Sequence, residues 1–356
     1  MNNSIVMYRL PHEKHYTIMR QCDGGAEILP SYTALNGKTG FVFSPFMISG
    51  KHPLLLIRPD EIKICRISDS EELDSLAFFG RDVDNEHRQY EADFNKFHSR
   101  LNRGEFRKIV LARNCEETAC EKILPEQIFK RVCHMYPNEF VALISTPYSG
   151  TWLMATPEIL VEGSGEEWHT VALAGTKRIN IEDESEVSKI RSQEVSDVWD
   201  DKNIHEQQYV AHYIRKCLCG FTKDINEIKP QTLVAGRLMH IVTHFSFKLK
   251  SDRIGRLVEA LHPTPAVCGL PKENAYKFIL DNESGDREYY SGFSGPVDHD
   301  GATHLFVTLR CMQIEGKCCR LYAGGGLLSE STLETEWLET EAKMDTMRRC
   351  LAIKRI

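Results

Sequence analysis

Glu336, Glu339 and Lys343 are spaced three and four residues apart near the end of the 356-residue chain. On a helix this spacing puts two carboxylates and an ammonium on one face. Two carboxylates so placed repel each other, and a cation between them removes that cost. Hard oxygen ligands with room for water suit Mg2+, which takes few protein carboxylates. The alternative is a solvated acidic face with a Glu–Lys pair. Glu206, early in another helical stretch, is a candidate third carboxylate. A zinc-protease reading of its surroundings, HEQQYVAH at 205–212, fails because His205 and His212 are too far apart in sequence. A second group with chemical potential is Lys108, in KIVLAR at 108–113. The stretch reads as a strand from Glu105 onward, with Phe106, Lys108 and Val110 on one side and Arg107, Ile109 and Leu111 on the other. An ammonium on a half-buried strand face is costly unless it has a partner or a chemical task.

These groups need elements to hold them. Helical periodicity is clearest at 203–219 and 331–352; in the second, Trp337, Met344, Met347 and Leu351 form one apolar stripe. From about residue 105 short strand patterns dominate: FRKIVLAR, FVALIST, TWLMATP, HTVALAG, HIVTHFSFKL, HLFVTLRCMQI and CRLYAGGGLL. Residues 1–95 read as irregular, with short apolar runs such as TGFVFSPF and PLLLI between turn residues. Many strands with a few helices between them predict an α+β fold with large, mostly antiparallel sheets. The glycines of YAGGG at 322–326 lack the Lys-Ser/Thr of a phosphate loop and read as tight turns.

Composition narrows the function classes. The chain is 42% hydrophobic and 27% charged with a net charge of -7, which argues against a nucleic-acid or anionic-membrane surface. The acidic run EDESE at 182–186 is expected to be a solvated loop. No stretch approaches the ~18 apolar residues of a membrane span. The start, MNNSIVMYRLPHEKHY, has charges and a proline where a signal peptide needs an apolar core. The 12 cysteines are scattered, and neither Cys217/Cys219 nor Cys318/Cys319 makes a zinc knuckle, so reduced cysteines in a cytoplasmic protein are expected.

Several separated stretches, taken together, resemble the chorismate-utilising enzymes. They are KIVLAR, ATPEILVE at 155–162, LAGTKR at 173–178, KNIHEQQ at 202–208, MHIVTHFSFKL, LHPTPAVCGLPKENA, YYSGFSG, RLYAGGGLL and ETEWLETEAK. They follow the family's order over roughly residues 95–350, and LHPTPAV together with Lys108 is most like isochorismate synthases. The resemblance implies two large, mostly antiparallel sheets packed together with helices on the outside. It makes residues 1–95 a variable N-terminal part of the same fold and 96–352 the chorismate-binding catalytic domain. Chorismate is a ring diene with a ring carboxylate and an enolpyruvyl carboxylate. Isochorismate forms when water adds at C2, the C4 hydroxyl leaves and the double bond shifts, which needs a base and an acid.

By the resemblance, Lys108 is the base, with Phe106 and Val110 helping to desolvate it and so disfavouring the ammonium. Glu158 is the acid, which must keep its proton near neutrality through burial. Glu206, Glu336 and Glu339 hold Mg2+, which receives the ring carboxylate. Tyr290, Arg310, Lys343 and the backbone N–H groups around Gly324 and Gly326 hold the enolpyruvyl carboxylate. His240 stands near the leaving hydroxyl, and Thr176 and Ala266 line the ring pocket. Aminodeoxychorismate synthases carry a nucleophilic lysine at the position of Ala174, so that covalent route is absent. Anthranilate synthases have glutamine at the position of Lys108 and use ammonia from a partner, so no amidotransferase partner is expected. The alternatives are a salicylate synthase, which shares the lysine and glutamate but eliminates pyruvate, an anthranilate synthase component I-like enzyme, and a non-catalytic chorismate binder. Isochorismate would feed menaquinone or siderophore biosynthesis. The chain departs from the family at Gln207, where histidine is usual, at Leu333, where proline is usual, and in DREYYSG at 286–292.

Overall fold

Alternating apolar residues in short β-branched and aromatic runs build two antiparallel sheets in a computed structural model that describes residues 3–67, 76–179, 184–351 and 354–355. The nine-stranded sheet runs Gly269–Leu270, Lys108–Thr118, Cys318–Leu327, Cys311–Glu315, Gly150–Thr156, Phe140–Thr146, Ser4–Arg9, His15–Gln21 and Glu61–Arg66. The ten-stranded sheet runs Ile225–Glu227, Leu238–Lys248, Glu167–Arg178, Ile159–Ser164, Ala302–Val307, Phe293–Val297, Gly40–Ser44, Leu54–Ile57 and Glu27–Leu29, with Gln231–Ala235 added to Leu238–Lys248. The parallel pairing among the described residues is the short one between Lys354–Arg355 and Ala77–Phe78.

The sheets face each other across a core of Val6, Tyr8, Phe41, Phe43, Phe140, Trp152 and Phe306. Phe140 from one sheet stacks on Phe306 from the other at 4.3 Å between ring centroids. Burying side chains of this size contributes about 1.5–3 kcal/mol each, so this aromatic layer is the main adhesive between sheets. The first 66 residues, motif-free in sequence, supply six of these strands, at the end of each sheet away from Lys108. The runs TGFVFSPF and PLLLI become the buried strands Gly40–Ser44 and Leu54–Ile57.

Helices cover the outer faces. Asp201–Cys219 packs Val210, Ala211 and Ile214 against Ala172 and Ala174 of the ten-stranded sheet. Its start is set by Asp200, whose side chain accepts from the Asn203 N–H as an N-cap. Leu333–Leu351 buries the stripe Trp337, Met344, Met347 and Leu351 on the other sheet. Part of the acidic run expected as a loop instead lies in the helix Glu184–Ser192; Val187 and Ile190, three apart, give it an apolar face against Met239 and Ile241. Residues 182 and 183 of the run lie outside the described residues. No helix among the described residues is long and apolar enough to cross a membrane.

Candidate active site

Lys108 opens its strand beside the short edge strand Gly269–Leu270 and is 0% exposed. Val110 and Ala112 follow it on the side facing the cavity and the inter-sheet core, while Ile109 and Leu111 face the outer helices. Phe106 does not share the face of Lys108 as expected: it precedes the strand and packs with Ile109 and Leu111. Pleat alternation cannot be extended past a strand's first residue. What meets the amine is Glu206, whose Oε1 lies 2.9 Å from Nζ. The pair is close but poorly aligned, and Nζ has no hydrogen-bond acceptor among the described residues.

This approach depends on Gly326. A Cβ there would collide with Glu206 Oε1 and sit 2.7 Å from Lys108 Cε. Gly325 does the same for the carboxylate helix, since its Cβ would sit 2.7 Å from Glu336 Oε2. The three glycines are therefore interior to the strand Cys318–Leu327 and not the tight turns expected from sequence. The strand beside them stops at Cys311, opposite Tyr322, so beyond that point their edge has no strand partner on that side. Gly324 and Gly326 line the cavity there.

One cavity gathers ten of the thirteen residues singled out above: Glu158, Thr176, Glu206, His240, Ala266, Tyr290, Arg310, Gly324, Gly326 and Lys343. Lys108, Glu336 and Glu339 sit just behind it, each reached through a lining residue or its glycine neighbour. Glu158 is 3% exposed, and burial pushes its carboxyl up to about 7 against the pull of Lys108, Lys343 and Arg310. Its backbone is tied down by an N–H bond to Thr156 Oγ1 and by its carbonyl, which accepts from Val307.

Arg310 leaves the sheet with φ +46°, a left-handed conformation costing a non-glycine residue on the order of 1–3 kcal/mol. It donates to His240 Nε2 at 2.7 Å, and His240 Nδ1 lies 2.8 Å from the Gly175 carbonyl. Guanidinium only donates and a carbonyl only accepts, so the proton of His240 is on Nδ1 and the ring is neutral. Burial, then Arg310, hold its pKa well below the usual value. Tyr290 stacks on Tyr322 with centroids 5.7 Å apart. Lys343 Nζ donates to the Gly324 carbonyl at 2.8 Å.

The three carboxylates each have a lysine. Glu206 faces Lys108 at 2.9 Å, Glu339 faces Lys343 at 2.6 Å, and Glu336 faces Lys202 at 2.5 Å. Glu336 is 1% exposed; its Oε1 also accepts from Ser331 Oγ at 2.7 Å, but its Oε2 is buried with no donor among the described residues. Burial and then the nearby Glu339 push Glu336 up to about 7. Among the described residues no three ligating side chains already stand in metal-binding geometry. The donor set still fits a hard divalent cation: an undonated buried oxygen, two mutually repelling carboxylates, and glycine where a side chain would fill the space.

Sequence spacing missed several supports. Asn203, in KNIHEQQ, accepts from the Thr176 N–H through Oδ1 at 3.1 Å and so links the helix start to the pocket wall. The buried pair Glu283–Arg287 grips the strands around Lys108: Arg287 donates to the Val110 and Val267 carbonyls, and Glu283 accepts from the Ala112 N–H. Its i,i+4 spacing was the available signal. Gln207 turns away from the carboxylates and donates to Thr243 Oγ1 at 2.7 Å, anchoring the helix to its sheet.

Residues 60–352 match the family model described as chorismate binding enzyme. Similar proteins include the isochorismate synthase DhbC of Bacillus subtilis, 32% identical over 271 residues, 72% of this chain and 66% of that protein. Another is the isochorismate synthase EntC of Escherichia coli, 29% identical over 244 residues, 67% of this chain and 61% of that protein. The matched stretches thus span somewhat less than two thirds of these relatives' own lengths. Among solved structures, a putative 2,3-dihydroxybenzoate-specific isochorismate synthase, DhbC from Bacillus anthracis, shares the fold at a TM-score of 0.82 and 24% identity, covering 98% of this chain and 96% of that one. Anthranilate synthase component I from Streptococcus pneumoniae shares it at a TM-score of 0.68 and 15% identity, covering 98% and 92%. With a family match over most of its length, this chain belongs to the chorismate-binding enzymes.

Proposed function

We propose that the chain is a Mg2+-dependent isochorismate synthase, adding water at C2 of chorismate with Lys108 as base while Glu158 protonates the departing C4 hydroxyl. The observation that carries this reading is a carboxyl held near 7 on one cavity that also presents Arg310 and Lys343, with a buried amine just behind its wall. A dianionic substrate needs such cations, and a hydration–dehydration needs such an acid. The reactive form of Lys108 is neutral, so its pair with Glu206 must open before it can take a proton from water.

Arg310 is suited to grip a carboxylate with two parallel bonds. His240, neutral and bonded on both ring nitrogens, holds Arg310 in place beside the leaving hydroxyl. Tyr290, Lys343 and the open strand edge at Gly324 and Gly326 complete the enolpyruvyl carboxylate site, and Thr176 and Ala266 line the ring. Glu206, Glu336 and Glu339 would hold Mg2+, which when bound supplies charge for the ring carboxylate and withdraws electron density from the ring. Ala174 offers no nucleophile, which favours water over a covalent route.

The test is product analysis of purified protein with chorismate, in Mg2+ and in EDTA. Metal-dependent isochorismate without pyruvate is expected. Salicylate with pyruvate would replace the proposal with the salicylate synthase reading, and intact binding without turnover would make the chain a non-catalytic chorismate binder.

A further inference from the structure

Lys202 sits in the first turn of Asp201–Cys219, one turn before Glu206, where a helix disfavours positive charge. Its position is therefore set by something other than its own helix. Its ammonium crosses to the second carboxylate helix and donates to Glu336 Oε1 at 2.5 Å. Glu336, Glu339 and Glu206 all lie close enough to act on its charge. It thus lies in contact with one, and within the field of all, of the three carboxylates proposed to hold the metal.

The three lysines of the cluster differ in how freely they can leave. Lys108 is enclosed on its strand, with a side chain 0% exposed, and Lys343 is tied to the Gly324 carbonyl as well as to Glu339. The Lys202 side chain is 25% exposed, and its hydrogen bond among the described residues is the one to Glu336. A flexible four-carbon stem at a helix start can swing that ammonium into water without moving the backbone.

We propose that Lys202 is a tethered counter-cation of the carboxylate cluster: it neutralises Glu336 in the metal-free protein and withdraws into solvent when a divalent cation takes that carboxylate. The inference rests on the metal-site reading above. It has a consequence for selectivity. A monovalent ion that expels Lys202 exchanges one positive charge for one, with no Coulombic gain. A divalent ion exchanges one for two, in a site where Glu336 and Glu339 repel each other. Metal affinity is then set by competition with the chain's own lysine, and the metal-free fold is spared an unneutralised buried carboxylate pair.

The experiment is calorimetric titration with MgCl2, alongside thermal unfolding in EDTA, on the full chain and on Lys202→Met, Lys202→Gln and Lys202→Arg. Removing the competing charge is expected to tighten Mg2+ binding about tenfold in the Met and Gln variants while lowering their Tm in EDTA. Lys202→Arg, which keeps the charge, should titrate like the unaltered protein. Unchanged or weaker Mg2+ binding in both neutral variants, with the unaltered protein binding normally, would overturn the competition and leave the metal site standing. Absence of Mg2+ binding in every form, neutral variants included, would overturn the metal site and this inference together.

Discussion

The Leu333–Leu351 helix carries two carboxylate clusters within two turns, and they are built in opposite ways. Glu341 is held by arginines: Arg113 donates to Oε1, Arg348 to Oε2 at 2.8 Å, and Arg81 reaches both oxygens. Arg113 also lies 3.7 Å over the Trp337 ring and donates to Thr340 Oγ1 at 2.7 Å. Although burial works against it, this grip holds Glu341 well below the usual carboxylate range. Glu336 and Glu339, less than two turns away, have one lysine each, and Glu336 Oε2 is left without a donor among the described residues. Guanidinium forks saturate a carboxylate and fasten the helix to the Lys108–Thr118 strand; ammonium groups neutralise a carboxylate and can let go. One cluster positions the helix, and the other is left able to exchange partners.

The comparison breaks most visibly at Glu341. Glu341→Ala removes the acceptor shared by three partly buried guanidiniums, which keep Glu86, Glu117 and Asp345, and should lower the unfolding free energy by about 1–3 kcal/mol in a denaturant titration, equally with and without Mg2+. A Mg2+-dependent loss would mean that the two clusters are not separable. Glu339→Gln should do the reverse. It removes a like-charge neighbour of Glu336, so stability in EDTA should stay within about 1 kcal/mol of the unaltered protein. The rise in Tm on adding Mg2+ should shrink by most of its size, and an undiminished rise would take Glu339 out of the metal site. The smallest effect is on pH dependence. Glu158 must be protonated to act as acid, and burial holds it near 7. The acid's contribution, read as the ratio of kcat/KM of the unaltered protein to that of Glu158→Ala so that the base's own titration cancels, should fall about tenfold per pH unit above that value. A ratio that stays flat from pH 6 to 9 would assign the proton to another group.

Sequence made the chemical groups legible because their cost is local. Lys108 stands out beside apolar neighbours, and Glu336, Glu339 and Lys343 share a helical period that the structure preserves. The glycines of YAGGG were misread because the reason for them is not local: the space they leave is used by Glu206, from a helix more than one hundred residues away, and by Glu336. Phe106 was misplaced because pleat alternation was carried past the strand's first residue. Lys202 went unseen because its partner lies 134 residues away and its spacing to Glu206 resembles an ordinary surface pair. The first 66 residues gave no motif since their work is apolar, filling strands at the far end of both sheets.

The central claim is that Lys108 activates water for addition to the ring. The direct measurement is to incubate the protein and its Lys108→Ala variant with chorismate and Mg2+ in heavy-oxygen water and to follow the label in the product by mass spectrometry. The account predicts isochorismate labelled at the C2 hydroxyl from the unaltered protein. The variant should still bind chorismate but turn over about 10²–10⁴-fold more slowly. Unlabelled isochorismate, or a variant that turns over at the unaltered rate, would contradict it.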